Sequence, residues 1–506
     1  MTARALPPVW LLVALQGAVS AASLVVEIVA GRMLAPYVGM SLYTWTSVIA
    51  VVLAGFSAGH WIGGIIAERQ PARALVATGW ALAAAALTTA GAVFLLRWGA
   101  ALVLPATDNA VTAIVALSMI AFFLPSLFAG IPAPVLAAIA VAAAPERQGR
   151  ALGAMFAAGA IGAIAGTLLA GFLFISWLGS IGTLAAVTLA YALAALILFG
   201  LGRRAGRVPA LALMAGGLIV PLALAAAALA APSPCTVESR YFCLRSLDAS
   251  SDPQAPVRLM VLDHLAHGIS ARDAPAVMHT DHAALLEVIA RHRMGARPFH
   301  AFFIGGGTYS IPRAWAARMP RPEMTVAEID PAVTEMAMAE FWFDPEGIEI
   351  LHDDARRALA GSPARYDVIL GDAFTDIAVP QHLITAEFFA LVADRLAPGG
   401  VYLMNVIDHA SSLAALAAVL ATAEAVFPVV EVWTGAERLE PGAQRVFVLA
   451  AGDSASPAGF LETLTPAPKG FGRLPESFLA ALRAQHGGLI LTDDFAPIDR
   501  LLGATF

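Results

Sequence analysis

Hydrophobic patterning divides the chain near residue 231. Before it, long apolar runs alternate with short polar breaks; after it, apolar stretches shrink to strand length and charged residues become common. Seven runs approach the ~20 apolar residues needed to cross a bilayer. They are 9–30, 42–66, 74–96, 111–143, 151–177, 181–201 and 208–231. The fourth is too long for one straight span and holds Pro125, Pro132 and Pro134, which predicts a kinked or broken helix. The first begins behind Arg4 and passes small residues at 18–23, as a signal peptide would. Its apolar run continues beyond any cleavage site there, so an uncleaved helix is expected.

From residue 299 the pattern alternates. Strands are predicted at 301–304, 324–328, 348–351, 368–370, 401–405 and 429–433, with helices including 331–340, 385–396 and 411–426. Such alternation predicts a parallel sheet covered on both faces. Between the halves, 241–270 reads as short strands and 281–292 as a helix. The expected organisation is a multi-span α-helical membrane domain (1–232), a small β-rich subdomain (233–298) and an α/β Rossmann-like domain (299–506).

Charge sharpens the division. The chain is 59% apolar and 13% charged, with a mean hydropathy of +0.75, which excludes a wholly soluble protein. Up to residue 231, ten Arg and no Lys stand against Glu27, Glu68, Asp108 and Glu146; the remainder holds 20 basic and 33 acidic residues. An acidic domain excludes nucleic acid as a partner and suits cations such as amines. Eight of the ten arginines fall on the N-terminal side of a seven-span arrangement, Arg32 and Arg97 on the other. That bias predicts a multi-pass protein of a bacterial-type inner membrane, with a cytoplasmic N-terminus and the C-terminal half outside. Cys235 and Cys243 are the only cysteines. In an oxidising compartment they would close a short loop or hairpin; otherwise they are two inert thiols. No second Cys/His pair stands at ligand spacing, so no metal site is expected.

Within the spans, Gly55, Gly59 and Gly63, and again Gly162 and Gly166, repeat every four residues. This lets helices approach closely, inside the domain or at a homodimer face. Glu27 and His60 are ionisable groups in apolar runs, where such groups are costly and often functional. Pairing with Arg32 near the membrane surface would explain Glu27 equally well. There is no inverted repeat of the kind transporters carry.

Candidate chemistry gathers at the ends of the predicted strands. Gly305, Gly306 and Gly307 follow the first and would let the backbone approach a nucleoside, although they depart from G-x-G-x-x-G. Glu328 ends the second, where an acid accepts hydrogen bonds from ribose hydroxyls. Asp330, just before Pro331, reads as a helix N-cap. Asp353 and Asp354 follow the third strand, and Asp372 and Asp376 the fourth. No phosphate-binding Lys of the P-loop kind is present, which argues against a nucleotide triphosphate. Tyr309 and His382 are further site candidates, Asp408 and His409 weaker ones, while Phe341, Trp342 and Phe343 read as packing.

In the order of these motifs, roughly 241–450 resembles the aminopropyltransferases, the spermidine synthases, which share a class I methyltransferase-type fold. The Gly-rich turn matches Gly305 to Gly307. The family's ribose-binding acid matches Glu328 in AEID, its adenine-side Asp matches Asp354 in HDDA, and its catalytic Asp matches Asp372 in YDVILGDAF. An earlier motif, L-D-G-x-x-Q, is similar to Leu262-Asp263-His264-Leu265-Ala266-His267, with His267 where a substrate-contacting Gln would stand. The run Glu27, Gly31-Arg32, Ala35-Pro36, Gly39 and Trp45 is similar to the membrane region of fused multi-span members.

The resemblance implies that an amine attacks the carbon beside the sulfonium of decarboxylated S-adenosylmethionine and expels methylthioadenosine, with Asp372 as base. No resident cofactor is implied; the donor is a substrate. The expected partners are a small polyamine or other amine and the lipid bilayer. Two departures matter. Thr308 stands where the family carries an acid in its Gly-rich turn. Thr375 stands where the family has a second catalytic-loop acid, and Asp376 is one step later. Ordinary diamine specificity and a decarboxylated donor are both brought into question. The competing readings are an S-adenosylmethionine-dependent methyltransferase or lyase on the same fold, and a non-catalytic transporter or sensor that binds a nucleoside or polyamine.

Overall fold

The computed structural model describes residues 6–107, 109–205, 211–373, 379–437, 443–463 and 465–502. It divides into two compact units, Met1–Pro234 and Cys235–Phe506.

The described part of the first unit is helical: α1 (Val9–Val38), α2 (Leu42–Ala67), α3 (Pro71–Val103), α4 (Ala110–Gly130), α5 (Pro132–Ala143), α6 (Gln148–Leu169), a π turn over Ala170–Phe174, α7 (Ile175–Ala205) and α8 (Leu211–Ala230). Caps set the entries. Ser41 and Thr44 form a reciprocal capping box on α2, and Asn109 Oδ1 accepts from the Thr112 amide at 2.8 Å on α4. The run around Pro125 and Pro132 breaks between α4 and α5, as its prolines predict. Glycine sets how closely α2 and α4 pack: a Cβ at Gly55 would lie 2.8 Å from the Phe123 carbonyl oxygen. Leu12, Val29, Leu82, Leu117 and Leu198 form part of the buried core, while Trp61, Phe156, Phe172 and Trp177 are more than 70% exposed.

Among the described residues, five helical stretches are long and apolar enough to cross a membrane. The runs expected at 151–177 and 181–201 join in one helical stretch, Gln148–Arg203, of 56 residues. It bends where Gly179 takes φ 67° and ψ 176°, a left-handed conformation that side chains disfavour. The last expected run, 208–231, is covered by α8, Leu211–Ala230, an apolar helix of 20 residues.

The second unit carries two sheets. The smaller is antiparallel, order β1-β2-β3-β4: β1 (Val237–Glu238), β2 (Cys243–Asp248), β3 (Val257–Leu262) and β4 (Leu265–Ala271). A disulfide joins Cys235 to Cys243 at its start. Asp263 closes the β3–β4 turn at φ 54° and accepts from the Cys243 amide at 2.8 Å. Helix α9 (Asp281–Met294) leads into the larger sheet.

The larger sheet contains β5 (His300–Ile304), β6 (Glu323–Ala327), β7 (Glu349–Leu351), β8 (Tyr366–Gly371), β9 (Leu396–His409), β10 (Val429–Gly435), β11 (Gln444–Gly452), β12 (Phe460–Thr463) and β13 (Lys469–Arg473). Their order is β12-β13-β10-β11-β9-β8-β5-β6-β7. From β9 to β7 neighbours are parallel, whereas β9, β11, β10, β13 and β12 pair antiparallel. The expected wholly parallel sheet is therefore corrected. The hairpin β10–β11 needs no crossover helix, so the β-α alternation stops there.

Both faces are covered. Along β5, Ala301 and Phe303 join one buried cluster with Leu285 and Trp315, while Phe302 and Ile304 join another with Leu359 and Phe388. This period-two division is that of a strand buried on both sides. The covering helices are α10 (Ser310–Ala316), α11 (Pro331–Glu340), α12 (Ala355–Gly361), α13 (Ala386–Arg395), α14 (Ala414–Glu424), α15 (Glu476–His486) and α16 (Ile498–Leu502), besides α9.

Candidate active site

Strand β5 sits between β6 and β8. The chain adds β6 and β7 on one side and β8 and β9 on the other. Loops leaving the carboxyl ends of β5 and β8 therefore diverge and open a crevice, as they do in Rossmann-like sheets. A cavity of about 240 Å³ lies there. Backbone bonds carry the ladder one residue past each strand. The Gly305 amide donates to Ala327 O at 2.9 Å, Glu328 N to Leu351 O at 3.0 Å, and Asp372 N to Ile304 O at 3.0 Å. The three tips are thereby fixed by main chain.

Glu328, Asp354 and Asp372 all line this cavity, with Gly305, Gly307, His267 and His382. Glu328 is buried. Its carboxylate accepts from the Gly306 amide at 2.8 Å and from the Asp330 amide at 2.9 Å. Burial pushes its pKa up although these amide bonds favour the charged form. Asp354 Oδ1 caps α12 through the Arg357 amide at 3.0 Å, and its Oδ2 lies 2.7 Å from His382 Nε2. Asp372 Oδ1 accepts from Asn405 Nδ2 at 3.0 Å, and its Oδ2 lies 3.7 Å from His282 Nε2.

Gly305 takes φ 92°, and a Cβ there would lie 2.6 Å from the Asp372 carbonyl oxygen. Only glycine lets the turn and the β8 tip approach so closely. Beside the main cavity is a recess of about 40 Å³ that shares Gly305, Gly307, His267, His282 and Asp372 with it and reaches Gly306, Thr308 and Ser310. Thr308 Oγ1 and Ser310 Oγ are 2.7 Å apart, and His267 Nδ1 lies 3.0 Å from Leu265 O.

Several expected site residues stand elsewhere. Tyr309 does not line the cavity. At φ 53° its ring turns under the Gly-rich turn, stacks on Phe343 at 4.1 Å and shares a 2.7 Å hydrogen bond with Thr334. Asp353 also lies outside the cavity lining; its carboxylate accepts from the Asp354 amide and pairs with Arg357 at 3.1 Å. Asp376 and Thr375 lie outside the described residues. Asp330 is the N-cap of α11, donated to by the Ala332 amide and by Ser239 Oγ. Asp408 is buried and accepts from the amides of His409 and Leu416.

Two residues escaped the sequence reading. Asn405 sits inside β9, one position beyond Met404, which pairs with Gly371; neighbourhood to the β8 tip was the available signal. His282, in the first turn of α9, carries no sequence signal for its position beside Asp372.

No protein-family model matches the chain. Over 105 residues it is 37% identical to the probable polyamine aminopropyl transferase of Bifidobacterium longum (strain NCC 2705), covering 21% of this chain and 23% of that protein. Over 128 residues it is 35% identical to the polyamine aminopropyltransferase of Vibrio vulnificus (strain CMCP6), covering 23% and 42%. The chain thus spans less than half the length of these curated relatives. Among solved structures, a probable spermidine synthase from Corynebacterium glutamicum ATCC 13032 aligns with 52% of this chain and 97% of its own, at 24% identity and a TM-score of 0.44. The spermidine synthase from Thermotoga maritima covers 43% and 76%, at 21% identity and 0.32.

Proposed function

We propose that this spermidine synthase-like chain is a transferase that moves an aminopropyl-type group from a sulfonium nucleoside to an amine and releases methylthioadenosine. The observation that carries the reading is the convergence of Glu328, Asp354 and Asp372 on one cavity behind a glycine turn. Glu328 offers carboxylate oxygens for ribose hydroxyls beside that turn, and Asp354 lines the cavity wall beyond β7. Asp372 has Oδ1 held by Asn405, which leaves Oδ2 to take a proton from the attacking amine. An ammonium has no lone pair, so this deprotonation must precede or accompany attack. Holding donor and acceptor together supplies much of the remaining acceleration.

The reading includes an N-terminal membrane domain. Five long apolar helices and exposed Trp61, Phe172 and Trp177 support it, since aromatic side chains so exposed suit a lipid surface. It also puts the second unit outside the cytoplasm, supported by the arginine bias and the Cys235–Cys243 disulfide.

The experiment is to incubate the purified full chain with decarboxylated S-adenosylmethionine or S-adenosylmethionine and a panel of di- and polyamines. Methylthioadenosine with an alkylated amine is the expected result. S-adenosylhomocysteine would make the protein a methyltransferase, methylthioadenosine without an alkylated amine a lyase, and neither product a binding protein.

A further inference from the structure

Resting on the transferase reading, we infer that the donor keeps its carboxylate: S-adenosylmethionine itself binds, and the group transferred is 3-amino-3-carboxypropyl. The recess beside the main cavity carries the argument. Its polar side chains are the hydroxyls of Thr280, Thr308 and Ser310, the imidazoles of His267 and His282, and one carboxylate, Asp372. That carboxylate already has Asn405 at 3.0 Å and His282 at 3.7 Å, and it is the group assigned to the acceptor's proton.

A decarboxylated donor would bring a bare ammonium into this recess. Among the described residues it would meet hydroxyls and imidazoles, and a single carboxylate, Asp372, already held by Asn405 and assigned to the acceptor's proton. A bare ammonium without a carboxylate of its own to pair with is disfavoured there. An amino-acid end is zwitterionic and asks for no net charge in the walls. His282 can donate to its carboxylate, His267 Nδ1 being committed to Leu265 O, and the oxygens of Thr280 and Thr308 can accept from its ammonium. His282 Nε2, 3.2 Å from Thr280 Oγ1, stands at the junction of the two sets.

The step balances. The amine lone pair forms a bond to the carbon beside the sulfonium, and the carbon–sulfur bond breaks with its electron pair left on sulfur. Neutral methylthioadenosine departs, and the proton lost by the nitrogen passes to Asp372 and on to solvent.

Donor binding can be measured without an acceptor, by titration calorimetry on the full chain in detergent. S-adenosylmethionine should bind at least tenfold more tightly than the decarboxylated compound, and Thr308→Asp should reverse the order. Equal or tighter binding of the decarboxylated donor to the wild type would overturn the inference. So would an unchanged preference in a folded T308D. Either result leaves the transferase reading standing, because methylthioadenosine release with an alkylated amine tests that separately.

Discussion

The side-chain amide of Asn405, inside β9, donates to Asp372 Oδ1 at the tip of β8 across 3.0 Å. Asn405 is 1% exposed, and its own side-chain oxygen has no hydrogen-bond partner among the described residues. The pair therefore fixes which carboxylate oxygen of Asp372 faces the cavity. Asn405→Leu should lower kcat/KM about tenfold to a hundredfold, from the ~1.5–3 kcal/mol lost with a hydrogen bond to a charged group at ~1.4 kcal/mol per decade. Unchanged kinetics in a folded variant would remove Asn405 from the machinery.

Asp372→Asn should abolish proton acceptance while keeping shape. Turnover should fall about 10²- to 10⁴-fold, the range for a lost general base. Methylthioadenosine affinity should stay within a few-fold, since Glu328 and the glycine turn are untouched. Retained turnover would unseat Asp372 as the base.

Gly305→Ala should be costly for two reasons, the positive φ and the 2.6 Å approach to the Asp372 carbonyl oxygen. A destabilisation of about 1–3 kcal/mol is expected from backbone strain alone. Thermal unfolding of the full chain would register it, together with loss of donor binding. A variant with wild-type stability and affinity would contradict the tight packing of this turn.

Glu328 gives a pH dependence. Burial raises its pKa, so the folded chain holds a proton that the unfolded chain releases near the ordinary value of about 4.3. This contribution is fully present below that pH and fades as pH rises toward the folded value. Glu328→Gln should therefore flatten the decline in Tm over that interval. An identical pH profile in both proteins would show that Glu328 is not the source.

The disulfide makes topology testable. Replacing both Cys235 and Cys243 by Ser should cost the second unit about 2–3 kcal/mol, as expected for a short closed loop. In cells, a periplasm-dependent reporter fused at Phe506 should be active and a cytoplasm-dependent one silent. The reverse pattern would place the unit inside.

Much of the site was legible because parallel strands announce themselves as short apolar runs, and their tips hold the chemistry. Glu328, Asp354 and Asp372 each follow such a run, and all three line the cavity. Adjacent acids were less legible. Asp353 and Asp354 are the same residue type one position apart, and only the strand's exit decides that Asp354 faces inward while Asp353 turns to Arg357. Tyr309 was misread because a left-handed φ, invisible in composition, folds its ring beneath the turn. His282 reaches the site from a helix far along the chain, a purely tertiary placement. β11 to β13 were missed because no helical segment separates β10 from β11 to mark a new strand. The helical half was read by length alone, which marked the runs 151–177 and 181–201 but not the kink at Gly179 between them.

Glu328 already spends its oxygens on the amides of Gly306 and Asp330 before any nucleoside arrives. The pocket wall is therefore no slack one: main-chain amides hold the acid in place. On the proposed reading, a ribose docking there would meet a preset receptor and lose less entropy in ordering it, its hydroxyls joining an arrangement that the main chain holds in readiness.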